Sequence, residues 1–156
     1  MAERLGLLWQ ALISAYIIPL FVGGWLVADQ VLYPFESYFD TGELRVETPH
    51  SSGDESISFI GGPQRSFLGS YKVVGRDAHT GNIACEGKDS GPRIYPPGPN
   101  YPPRVTMEWW EGPGGQCSAL PPGAYYLETC WTVLDRGGLL GPATSCVRSN
   151  NFIIED

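Results

Sequence analysis

Four cysteines and two histidines are the side chains of this 156-residue chain best suited to making bonds, and their spacing decides which bonds. Cys85, Cys117, Cys130 and Cys146 are separated by 31, 12 and 15 residues, without a C-x-x-C pair. His50 and His79 have no second ligand nearby in sequence, so the chain offers neither a metal site nor a cofactor site. An even set of cysteines instead reads as two disulfides formed in an oxidising compartment. No G-x-S-x-G elbow, H-E-x-x-H helix or P-loop is present, and "GKDS" at Gly87–Ser90 lacks the upstream glycine. Both histidines sit in turn-forming sequence and read as solvated. The expectation is a protein that is not an enzyme.

Two acidic pairs remain. Asp54-Glu55 lies in the loop sequence "TPHSSGDES", and Glu108 and Glu111 flank Trp109-Trp110. Two facing carboxylates beside aromatic platforms would suit a sugar. If Arg104–Trp110 is a strand, however, adjacent tryptophans point to opposite faces, one filling the core and one reaching the surface. "RIYPPGPNYPPR" (Arg93–Arg104) raises a similar choice. Its prolines fix φ near the polyproline II value, making a stiff segment whose Tyr95 and Tyr101 either meet a partner or pack on their own domain. Tyr95, Tyr101, Trp109 and Trp110 are therefore the candidate partner contacts.

These side chains need elements to hold them, and from Gly42 onward the pattern is short β-branched and aromatic runs punctuated by Gly and Pro. Strands are expected at Glu43–Thr48, Ser56–Ile60, Phe67–Arg76, Asn82–Glu86, Arg104–Trp110, Ala124–Leu134 and Thr144–Ile154, seven in all. "RDAHTGNIAC" reads as a tight hairpin bracketed by Asp77 and Gly81. In "AYYLETCWTVL", Tyr125, Leu127, Thr129, Trp131 and Val133 share one face, which leaves Cys130 on the more polar one. In "SCVRSNNFII" Cys146 alternates with Arg148 and Asn150, away from Val147 and Ile153. Folding the two strands about Gly138 sets Cys130 opposite Cys146 and Glu128 opposite Arg148 in a single register. That predicts an outer-face Cys130–Cys146 disulfide and leaves Cys85 to Cys117, a bridge enclosing the Pro-rich loop 91–104.

The stretch "LPPGAYYLETCWTV" (Leu120–Val133) resembles the penultimate-strand signature of immunoglobulin-like and fibronectin type III-like sandwiches, in which L-x-P-G leads into a Tyr-rich strand. The resemblance implies a seven-stranded sandwich serving as a rigid presentation scaffold. Immunoglobulin domains place their second core cysteine two residues after the corner tyrosine. Here Cys130 lies five after Tyr125 and four after Tyr126, in keeping with an outer disulfide.

The amino-terminal part has another character. Leu5–Ala28 is a run of 24 residues without a charged side chain. As a helix it would reach roughly 36 Å, enough for a hydrocarbon core of about 30 Å. Trp9, Trp25 and Tyr33 would then mark the membrane interfaces. A cleaved signal peptide competes, but the run exceeds an h-region of about 7–15 residues. Arg4 before the run and acids after it put the N-terminus in the cytoplasm. The expected organisation is an anchor at 1–28, a juxtamembrane segment at 29–41 and an exported domain at 42–156. In the juxtamembrane segment, Val31, Leu32, Phe35, Tyr38 and Phe39 make either an interfacial helix or the first turn of the exported core.

The exported part is acidic, since all of the net charge of −7 falls beyond Glu3 and Arg4, and its basic residues are scattered singly. That excludes nucleic acid as a natural partner. Sequence alone thus predicts a mainly β protein with one transmembrane helix and an immunoglobulin-like sandwich in the periplasm, the extracellular space or on a virion. Its partners would be the lipid bilayer and a protein of an envelope or virion assembly. Alternatives are an accessory subunit joined through its membrane helix and, third, a carbohydrate-binding domain.

Overall fold

The computed structural model describes residues 13–17, 19–24, 34–47, 56–89, 91–98, 102, 104–136 and 141–155. The chain divides into two compact units, Met1–Pro34 and Phe35–Asp156.

In the first unit Ile13–Ile17 form a π-helical turn and residues 19–24 are α-helical. Pro19 donates no N–H and its ring crowds the carbonyl four residues back, so a widened turn just ahead of it relieves both conflicts. The expected transmembrane helix over Leu5–Ala28 is corrected here: among the described residues no helix is long and apolar enough to cross a membrane. Trp9, Trp25 and Tyr33 lie outside the described residues.

The second unit is mainly β. Among the described residues it holds eight strands: β1 (Phe39–Glu47), β2 (Ser56–Pro63), β3 (Phe67–Asp77), β4 (Ile83–Glu86), β5 (Arg93–Tyr95), β6 (Gly123–Val133), β7 (Ala143–Arg148) and β8 (Phe152–Ile154). β1 and β2 form a two-stranded sheet. The other six form a second sheet in the order β4-β3-β6-β7, with β5 beside β3 and β8 beside β6. This replaces the expected seven-stranded immunoglobulin-like sandwich. Of the five apolar residues of the juxtamembrane segment, Phe35, Tyr38 and Phe39 are buried in the core cluster of this unit, and Val31 and Leu32 lie outside the described residues.

Period-two patterning builds the large sheet. Along β6 every second residue from Tyr125 to Val133 is buried, and β3 pairs with it so that Tyr71 faces Trp131 and Val73 faces Thr129. Phe39 of β1 stacks on Trp131 at 4.6 Å between ring centroids, and Phe59 of β2 lies 5.0 Å from the same indole. The two sheets thus close on one aromatic layer, whose ring pairs add to simple area burial. Gly42 makes the β1 bulge possible: its φ is +47°, and a Cβ there would lie 1.5 Å from the Ile60 carbonyl oxygen. The β3–β4 hairpin closes through Asp77, whose Oδ1 accepts from the His79 and Thr80 N–H groups and the Thr80 hydroxyl. At the start of β6 the Tyr125 hydroxyl donates to the Pro121 carbonyl at 3.0 Å.

Two strand expectations are corrected. Arg104–Trp110 is not a strand. Val105 alone bridges to Ile57, and Met107–Glu111 is a short helix started by Thr106, whose Oγ1 accepts the Trp109 N–H, and ended at Gly112 with φ +81°. Thr144–Ile154 is two strands. Between the pairs Glu128↔Arg148 and Tyr125↔Phe152 the chain advances three residues on β6 and four on the other side. The extra residue reverses the alternation, so Phe152 and Ile154 are buried while Ile153 is exposed.

Candidate functional site

Both disulfides are present, and they differ in setting. Cys130–Cys146 crosses β6 and β7 on the solvent side, in the register that also pairs Glu128 with Arg148. Glu128 bonds instead to Arg76 at 2.8 Å, while the Arg148 guanidinium covers the Tyr126 ring at 3.6 Å. Cys85–Cys117 is buried against Gly75, where an added Cβ would lie 2.2 Å from the Cys85 sulfur. This inner bridge fastens the 3-10 turn Cys117–Ala119 beneath the large sheet.

Glu111 completes that fastening. It is 1% exposed, and its carboxylate accepts the backbone N–H of Cys117 and, at 3.1 Å, that of Ser118. On the same helix Trp110 is buried and donates its indole N–H to Thr129 at 3.0 Å. Two consecutive side chains therefore hold the helix to the core. Its outer residues, Glu108 and Trp109, turn outward, and Trp109 is 48% exposed.

A cleft of about 500 Å³ opens beside this helix, within the usual range for ligand pockets. Tyr71, Trp110 and Trp131 line it together with Trp109, Thr106, Gly112 and Pro113, and Arg93 and Glu108 bring charge. The Arg93 guanidinium lies 5.4 Å from the Tyr71 ring and 4.8 Å from that of Tyr95. Burial pushes the Tyr71 phenol above its ordinary pKa, and the Arg93 cation pulls the other way. The phenol therefore stays protonated, and the cleft carries one positive and one negative side chain.

Of the described residues singled out from sequence, Glu108, Trp109 and Trp110 line this cleft, Glu108 and Trp109 as exposed side chains with Trp110 buried behind them. Tyr95 is corrected: it is 4% exposed and stacks on Phe67 at 5.1 Å, so it belongs to the core rather than to a partner. Tyr101 lies outside the described residues, as do His50, Asp54 and Glu55. His79 is exposed in the β3–β4 turn. Among the described residues no group of three His, Cys, Asp or Glu side chains is placed to hold a metal ion. Sequence reasoning missed Tyr71, Arg93 and Pro113, which come together only through the β3–β5 pairing and the turn after Gly112. No protein-family model matches this sequence, and no curated protein matches it.

Proposed function

We propose that this protein is a non-enzymatic recognition module that works in an oxidising, extracytoplasmic compartment and docks its partner in the aromatic cleft. The observation that carries the reading is Trp109. A large indole left half exposed, on a helix braced from behind by Trp110 and Glu111, is a pre-ordered contact that loses little entropy on binding. Two disulfides in a chain of this size fit the compartment. Binding rather than catalysis is favoured because Glu111, the acid that could pair with Glu108, is committed to two backbone N–H groups. The acidic balance of the chain again argues against nucleic acid.

The test uses the oxidised full-length protein on a mixed array of peptides and glycans. Binders found there are expected to lose about tenfold or more of their affinity with Trp109→Ala. They should keep it with Ile153→Ser, an exposed residue on β8. Binders insensitive to Trp109→Ala would overturn the assignment of the site.

A further inference from the structure

We infer that the cleft takes an uncharged glycan, a proposal that rests on the recognition reading above and names its ligand. The chemistry of the lining separates the ligand classes that an aromatic cleft can serve.

A cationic ligand, such as a quaternary ammonium, needs open ring faces and no competing charge. Here the Arg93 guanidinium already lies over the Tyr71 and Tyr95 rings, so a second cation would meet it at close range. A polyanion suits Arg93 but meets Glu108 in the same lining and a chain whose net charge is −7. A proline-rich peptide would fit the rings. Its backbone, though, presents carbonyl acceptors and few donors, which leaves the Glu108 carboxylate without a match.

A neutral sugar fits all of these groups together. Its C–H face is apolar and weakly positive and suits the negative face of an indole, which Trp109 offers. Each hydroxyl both donates and accepts. Arg93 only donates, Glu108 only accepts, and the Thr106 oxygen, which already takes the Trp109 N–H, retains its own hydroxyl proton to donate. The opposite charges of Arg93 and Glu108 cancel across the lining, so an uncharged ligand meets no net field.

The experiment is a titration of the oxidised full-length protein, followed by tryptophan emission. The probes are neutral hexasaccharides of glucose, mannose, galactose and N-acetylglucosamine, with a galacturonate oligomer and a proline-rich peptide as contrasts. At least one neutral series should give a saturable change whose affinity falls about tenfold or more with Trp109→Ala. Glu108→Gln and Arg93→Met, which alter exposed side chains, should each weaken it about threefold to tenfold. The affinity should vary less than about twofold between low and high salt, as befits an uncharged ligand. Circular dichroism of each variant checks that the fold is kept.

Binding of the galacturonate or the peptide alone, lost with Trp109→Ala, overturns the assignment of an uncharged glycan and leaves the recognition site standing. Sugar binding indifferent to Trp109→Ala overturns the site itself. If no probe binds to the parent protein, the glycan assignment falls, and the array experiment above then judges the recognition reading separately.

Discussion

Glu111 is the residue whose loss should be felt most, and Glu111→Gln isolates why. The side chain keeps its length and shape, but one carboxylate oxygen becomes an NH₂ group. Of the two backbone donors it serves, Cys117 N–H and Ser118 N–H, one then faces another donor at a site 1% exposed. The lost charge-assisted hydrogen bond contributes about 1.5–3 kcal/mol, and an orphaned buried N–H costs about 1–3 more, giving a loss of about 2.5–6 kcal/mol. For a domain of this size that lowers the melting temperature by about 10–20 °C. Urea unfolding of the oxidised protein measures it, since both disulfides then restrict the unfolded chain equally in parent and variant. Glu108→Gln, the same chemical change at an exposed position of the same helix, should stay within about 0.5 kcal/mol of the parent. A Glu111→Gln protein that unfolds within about 1 kcal/mol of the parent would show that the carboxylate does not hold this turn, and the bracing argument for Trp109 would fail with it.

Three further outcomes follow from particular contacts. Gly75→Ala places a Cβ 2.2 Å from the Cys85 sulfur, so thiol titration of the denatured variant should find Cys85 and Cys117 unbridged; an intact bridge would contradict the crowding. Mild reductant on the folded protein should open Cys130–Cys146 before Cys85–Cys117, because Cys146 is exposed and Cys117 is fully buried, and peptide mapping of alkylated cysteines reads the order. The Thr80 N–H, the Thr80 hydroxyl and then the His79 N–H hold the Asp77 carboxyl below its ordinary range. A depressed folded pKa means that its stabilisation of the hairpin is present above the ordinary carboxylate pKa and is lost as pH falls through the folded value. An NMR titration should find Asp77 below about 3.9, and a value at or above that would refute the turn's hydrogen bonding.

Period-two alternation was legible where a strand is long and one face is buried. The β6–β7 register followed from two cysteines and a charge pair, and the structure has it. Beyond Arg148 the same rule failed, since one inserted residue reverses every later side chain and nothing in "RSNNF" marks it as a bulge. The Met107–Glu111 helix did leave a signal. Thr106 as cap, an acid in the first turn, and Gly112 followed by Pro113 form a start and a stop with five residues between them, a span short enough for aromatic composition to mask it. The exposure of one tryptophan and burial of the other were expected, but from strand alternation, whereas the cause is the turn of a helix. Tyr71 and Arg93 carried no local mark at all. They become neighbours of Trp109 through pairings between residues distant in sequence. The run Leu5–Ala28 misled in the other direction: its lack of any charged side chain outweighed Pro19, whose missing N–H disfavours a continuous helix.

One side chain outside the cleft lining bears on how the molecule behaves in a crowd. The Asn150 amide accepts the Val46 N–H and donates to the Val46 carbonyl, each at 2.9 Å. It copies what the backbone of an added strand would do. An outer strand with open donors and acceptors invites pairing by another chain and, from there, aggregation. Here that position on β1 is already taken, and the Gly42 bulge and the exposed Glu43, Arg45 and Glu47 blunt the rest of the strand. A single amide thus supplies edge protection that this two-stranded sheet lacks the strands to provide for itself.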